Sequence, residues 1–406
     1  IWHVQRNCRR SEYILNDVMR QETKKELDPE VFIFLVFIIG LFYPICAVMG
    51  VSNMLNTLMN TAYSLLMNTV LYILAIAVVT GAISALLSEF GIVALLNKLL
   101  SPLMNPLFGL PGAAALGVVT TYLSDNPAIL PLAEDKNFRR YFKKYQFPAL
   151  TNLGTAFGMG LIVSTFMLSL NQIAGENLVP AILVGNLGAV IGSIISTRLM
   201  LRSTVKIYGK DEPCEINMPQ NVDRPEENVR DVRSGSVGLR AIGALLDGGK
   251  SGVDLGLGII PGVLIVCTLV LMLTNGPADS GIYTGAAYEG VALLPWLADK
   301  LNFILKPLFG FTSPQAIAVP ITALGAAGAS LGLVPPLLTG GFIGANDIAV
   351  FTAMCMCWSG YLSTHVSMMQ SLNCKNLIGS ALISHTIGGL CAGIAANLLF
   401  RLLQIM

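Results

Sequence analysis

The segment Thr120-Thr-Tyr-Leu-Ser-Asp-Asn-Pro127 sets hydroxyls, a carboxylate and an amide inside an otherwise apolar run, Leu110–Leu132. Its proline removes a backbone donor. In hydrocarbon, such a break must line a cavity or be enclosed by protein, because lipid cannot satisfy freed backbone groups. A carboxylate at that depth is expensive and marks a functional position. Asp125 therefore reads as a group that couples H+ or Na+, or that pairs with a cationic substrate, with Ser124, Asn126 and Thr121 as hydrogen-bonding neighbours. The competing reading makes Asp125 a helix N-cap, with Asn126-Pro127 forming a turn.

Other polar residues recur in apolar surroundings. Asn152 and Thr155 lie three apart, near one helical face, and suit either substrate binding or hydrogen bonding to a neighbouring helix. Thr322 and Ser330 flank the small-residue run Gly325-Ala-Ala-Gly-Ala-Ser330, and Asn346-Asp347 opens the next helix as either site or cap. Cys355-x-Cys357 lacks metal-ligand spacing, so no metal site is expected, and the cysteines of apolar helices read as small hydrophobes. Gly248-Gly-Lys-Ser251 carries only the tail of a phosphate-binding loop, and no strand precedes Gly154, Gly158 and Gly160. ATP hydrolysis and nucleotide cofactors are not expected; H+ or Na+ is the coupling species. Met356-Cys-Trp-Ser-Gly360 together with His385 outlines a Ser359–His385 dyad, as in an intramembrane serine hydrolase. Cys357 stands where that motif needs glycine, so a non-enzyme is the preferred reading.

The elements that hold these residues must be membrane helices. The chain has 406 residues, 54% hydrophobic and 12% charged, and a mean hydropathy of +0.67. A soluble domain carries about 25% charged residues, so this one cannot cover a water-facing surface. Runs such as Val31–Gly50 and Leu255–Thr274 approach the roughly 20 residues needed to cross a bilayer. No dyad alternation of a β-barrel is visible. The fold class is an all-α polytopic membrane protein. Expected spans follow at Thr69–Ser88, Phe147–Leu170, Leu178–Leu201, Gly341–Tyr361 and Lys375–Leu403, with a re-entrant helix near Phe90–Phe108 and an amphipathic stretch at Val237–Gly252. The net charge of +1 gives no basis for nucleic-acid binding. The chain opens on Ile1 rather than a start methionine, and its first apolar run lacks the small-residue cleavage site of a signal peptide.

The plan repeats. Asn105-Pro-Leu-Phe-Gly109 returns 201 residues later as Lys306-Pro-Leu-Phe-Gly310, and the same offset carries Gly188 and Gly192 onto Gly389 and Gly393. Pro106, Gly109, Pro307 and Gly310 thus mark a structural repeat motif, with elbows before two broken helices. Gly154-x-x-x-Gly158 and the two later pairs are small-residue packing faces. Lys and Arg favour the cytoplasmic side. The basic loop 133–146 corresponds to Val334–Asp347, which has no Lys or Arg, so the halves are expected to be inverted. The organisation read is a polar cytoplasmic segment 1–30, an extra span 31–50, repeat one at 52–202, a cytoplasmic linker 203–236 and repeat two at 237–403.

The stretches Leu99-Leu-Ser-Pro-Leu-Met-Asn-Pro-Leu-Phe-Gly-Leu-Pro-Gly112 and Leu301-Asn-Phe-Ile-Leu-Lys-Pro-Leu-Phe-Gly-Phe-Thr-Ser-Pro314 resemble the Gate, or nucleoside-recognition, family. Asp247-Gly-Gly-Lys-Ser-Gly252 and Gly325-Ala-Ala-Gly328 add to the likeness. That family includes spore-maturation membrane proteins and concentrative nucleoside transporters. The resemblance implies a prokaryotic inner-membrane protein, multi-pass, while the loop charges put the N-terminus in the cytoplasm and the C-terminus outside. It implies transport of a small-molecule solute, a nucleoside or another metabolite, at the repeat interface. The lipid bilayer and further copies of the chain, as a homo-oligomer, are the other partners. A non-transporting assembly or regulatory protein is the alternative.

Overall fold

The computed structural model describes residues 27–134, 136–214, 232–278 and 281–405. Most of the polar segment expected at 1–30 and half of the linker expected at 203–236 lie outside the described residues. Helix α1 (Pro29–Met49) is considered by itself: its 21 residues span roughly 32 Å at 1.5 Å each, enough to cross a bilayer.

After α1, the elements fall into two successions along the chain. The first begins with α2 (Val51–Leu65), a π turn at Leu66–Val70 and α3 (Leu71–Glu89), a single run of 39 residues. The polar stretch and separate span expected between Ser52 and Ser88 are thus one helix. Its asparagines are hydrogen-bonding partners of a distant loop rather than loop signals. Asn53 and Asn60 donate to the carbonyls of Tyr283 and Gly285. Next come α4 (Ile92–Leu103) and a π turn at Met104–Phe108, closed by Gly109 at φ 73°. That left-handed cap suits glycine, which has no Cβ to clash. Then α5 (Ala114–Leu123), a break at Ser124-Asp125, a 3-10 turn at Asn126–Ala128 and α6 (Ile129–Glu134) form a hairpin, with Ile129 packed on Gly117. The expected continuous span Phe147–Leu170 is broken at 157–159 into α7 (Ala149–Ala156) and α8 (Gly160–Ser169), and α9 (Val179–Tyr208) closes the half.

The second succession opens with α10 (Val237–Gly258), a π turn at Gly262–Cys267 and α11 (Thr268–Thr274). Here too an expected amphipathic stretch and span are one run. Then follow α12 (Leu293–Lys300) and α13 (Asn302–Phe309), whose cap Gly310 has φ 66°. A 77° bend leads through a 3-10 turn into α14 (Ala318–Gly325). The chain breaks at Ala326 and continues as α15 (Ala327–Leu331) and α16 (Val334–Thr339). Helix α17 (Ala345–Cys357) breaks at 358–360 before a π turn at Tyr361–His365 and α18 (Val366–Ser371). Helix α19 (Ile378–Ile405) ends the chain. Among the described residues, six helices are long and apolar enough to cross a membrane, seven if the bent pair is one span. No strand occurs among them. The protein is a multi-pass α-helical membrane protein.

Small residues set the packing. A Cβ on Gly188 would meet the Ala392 carbonyl oxygen at 2.7 Å and one on Gly192 that of Gly388 at 2.5 Å. Rising numbers on α9 thus meet falling numbers on α19, so the two helices run antiparallel with backbones touching. Helices α3 and α10 do the same: Gly81 abuts Gly248, Ala77 abuts Gly252 and Leu74 abuts Gly256. Each elbow is held from the last helix of its own half. Arg198 Nε donates to Leu107 O at 2.9 Å, and Asn397 Nδ2 donates to Leu308 O at 2.9 Å. Both clamps satisfy carbonyls that a terminating helix leaves unpaired.

Two charged fixtures lie at opposite ends of the first long helix. Glu89 accepts from Arg233 and Arg240, each at 2.7 Å. Glu289, in the loop between α11 and α12, accepts from Thr284 N, Gly285 N, Thr284 Oγ1 and Thr57 Oγ1. Burial pushes its carboxyl up, but these bonds together hold it below the usual carboxylate range.

Candidate functional site

The break after α5 is stabilised by its own polar side chains. Ser124 Oγ accepts from Asp125 N, and Asp125 Oδ1 accepts from Asn126 N at 2.7 Å. Asp125 is therefore the N-cap of the 3-10 turn, with extended backbone at φ −151°. The capping residue also lines the cavities beside the break. Asn126 is fully buried and reaches across to the other half: its Nδ2 donates to Ser359 O at 2.8 Å and to Thr364 Oγ1. The first hairpin tip is thus tied to the break in the α17–α18 segment. A third broken helix joins them, since a Cβ on Gly158 would meet Ser359 Oγ at 2.8 Å.

Two cavities flank this tip. One, of about 630 Å³, lies between α3, α10 and the hairpin, and includes Ser84, Ser88, Thr120, Ser124 and Ser251 in its wall. The other, of about 400 Å³, brings Asn126 and Met159 together with the Gly325–Ala329 run, Ser359 and Thr364. Asp125, Asp254 and Leu255 line both. These volumes suit a small metabolite. The Gly325–Ala329 wall is built of glycine and alanine only.

The fold is shared with concentrative nucleoside transporters. A doubly substituted CNTnw in an outward-facing state matches at TM-score 0.50 with 14% identity, over 82% of this chain and 75% of that one. A second double variant in an outward-facing state matches at TM-score 0.53 with 13% identity, over 82% and 76%. Neither a family model nor a curated protein matches the sequence. The likeness to the nucleoside transporters is one of architecture; the side chains of the site are this chain's own.

The remaining predicted residues are placed as follows. Thr121 and Thr322 are buried and donate back to Gly117 O at 2.8 Å and Ala318 O at 2.9 Å, within their own helices. Asn152 Nδ2 donates to Ser196 Oγ at 2.9 Å and to Ala381 O, joining α7 to α9 and α19. Thr155 is buried on the same helix. Ser330 Oγ donates to Ala327 O at 2.7 Å and lies 3.2 Å from Cys355 Sγ. Asn346 Nδ2 donates to Phe309 O and Gly310 O, while Asp347 accepts from Thr312 and from Gly344 N. That pair supports the second elbow. Ser124, Asp125 and Asn126 are the predicted residues gathered at the cavities.

His385 is committed elsewhere than to Ser359. Its Nδ1 lies 2.8 Å from Ser196 Oγ and its Nε2 2.5 Å from Cys357 O, so the hydrolase dyad does not form. Among the described residues no cluster of three or more His, Cys, Asp or Glu could hold a metal.

Sequence reasoning did not pick out Asp254. Dividing the long run into an amphipathic stretch ending at Gly252 and a span starting at Leu255 hid a carboxylate inside a membrane helix. A continuous helix through Val253–Asp254 is the signal that would have exposed it.

Proposed function

We propose that this chain is a secondary transporter that moves a small polar solute by alternating access between its two halves. The observation that carries this reading is the 400 Å³ cavity, whose wall combines the first hairpin tip with the Gly325–Ala329 break and Asp254 of the second half. Residues 52–202 and 237–403 act as two inverted Gate repeats, the same antiparallel relation that α9 and α19 have in the fold. A nucleoside is one solute class that the architecture of the fold's relatives supports. Asp125 supplies coupling to H+ or Na+, or pairs with ligand charge, and Asn126 fixes the tip against the opposite half. The protein resides in a prokaryotic inner membrane, N-terminus cytoplasmic and C-terminus external, and assembles as a homo-oligomer.

The test is uptake into proteoliposomes, preceded by a screen for solute-dependent thermal stabilisation of the purified chain. At least one nucleoside, amino acid, amine, dipeptide or carboxylate is expected to raise the melting temperature and accumulate. Silence across all of these classes would sink the carrier reading and favour an assembly role.

A further inference from the structure

Resting on that transporter reading, we infer that the solute is an organic cation, gripped between Asp125 on the first hairpin tip and Asp254 on α10. The two carboxylates line both cavities, so a ligand in either one meets two negative charges. No Lys, Arg or His contributes to either wall, and neither carboxylate takes part in an ion pair among the described residues. Asp125 is half-buried on this wall and needs a counter-charge where water is excluded, and none of the lining residues provides one.

A third acceptor is independent of the two acids. Asn126 is fully buried, its Nδ2 is consumed by Ser359 O and Thr364 Oγ1, and its Oδ1 is left without a partner beside the smaller cavity. An unpaired buried acceptor calls for a donor from the ligand. Two carboxylates and an amide oxygen form an acceptor-rich wall, which matches an ammonium or guanidinium group. The remaining wall at Gly258, Gly262 and Ala326–Ala329 is small and apolar, fitted to a carbon body. A space of about 400 Å³ is also too large for a bare inorganic ion.

Asp254 belongs to α10, whereas Asp125 belongs to the hairpin, so the grip spans two different elements. Binding would depend on both acids, while folding would not depend on Asp254, which is exposed and makes no ion pair among the described residues.

The experiment uses the purified full chain with tyramine and agmatine as cations, uridine as a neutral solute and glutarate as an anion. Thermal unfolding is followed by uptake of the labelled compounds into proteoliposomes. The expected result is stabilisation and uptake of tyramine or agmatine, with little response to glutarate. In Asp254→Asn the apparent affinity for the amine should fall at least tenfold, with the unliganded melting temperature unchanged, and Asp254→Glu should retain most of it. If uridine or glutarate enters and neither amine does, transport stands and the cation inference fails. Equal amine affinity in Asp254→Asn, or the same stabilisation from sodium chloride alone, overturns it as well. If none of the compounds nor any solute of the wider screen binds, the transporter reading falls with it.

Discussion

The two hairpin tips sit 201 residues apart in the chain and break at matching positions, yet they are built from opposite materials. Tip one has Ser124-Asp125-Asn126, which caps its own turn and reaches across to the other half. Tip two has Gly325-Ala326-Ala327-Gly328 and carries no charge. Both solve the same problem, a helix that must stop in a low-dielectric setting. The first does so with side chains that replace backbone partners. The second does so with small residues that let surrounding atoms close in, as Cys267 Sγ does on Ala329 O at 2.7 Å. The two tips thus differ in kind, with polar side chains on one and close packing on the other.

Enlarging a residue of the close-packed tip should have the largest effect. A Cβ on Gly328 would already meet Ile259 Cγ2 at 2.5 Å, so Gly328→Leu should cost about 1–3 kcal/mol from overpacking and abolish the solute response. Thermal unfolding and uptake measure both, and a variant with normal uptake would remove tip two from the site. Second comes Asn126→Ala, which deletes both bonds to the α17–α18 break. A loss of about 1–3 kcal/mol is expected, read from unfolding in detergent, with no comparable cost for Ala327→Ser in the uncharged tip. Third, Asp125→Asn should lower apparent solute affinity about tenfold, equivalent to about 1.4 kcal/mol. Its melting temperature should barely move, because asparagine also caps well. A large loss of stability without loss of affinity would recast Asp125 as a cap alone. The smallest effect is a control remote from both tips. The Glu289 carboxyl titrates lower in the folded protein than in the unfolded chain, so its contribution is present above the ordinary glutamate value of 4.5. It is lost as pH falls through the lower folded value. Glu289→Gln should flatten this acid-side decline in melting temperature and leave neutral-pH uptake intact.

Much of this asymmetry is legible in the chain. Ser124-Asp125-Asn126-Pro127 announces its break by polarity, whereas Ala326 is found only through the repeated offset. The breaks at 157–159 and 358–360 escape because Phe-Gly-Met and Trp-Ser-Gly pass as apolar helix in composition. Thr121 and Thr322 look like ligand groups, but a buried threonine can return its hydroxyl to the preceding turn. Sequence alone cannot choose between those destinations. Asn346 and Asp347 pose the same ambiguity, which three-dimensional proximity to Thr312 and Gly310 resolves in terms of elbow support. Asp254 is the reverse case, an informative residue concealed by a misplaced helix boundary.

The π turn at Leu66–Val70 has a further consequence. Upstream, α2 buries Met54, Thr57, Thr61 and Leu65. Within the turn Thr69 and Val70 are both buried, and the series continues through Ile73 and Ala77. A π turn closes its hydrogen bond over five residues rather than four, so it carries two adjacent side chains on the buried side. One continuous helix thus keeps a buried face from the Glu289 loop to the glycines of α10. Removing a single residue there would take away the wide turn and one of its two buried side chains.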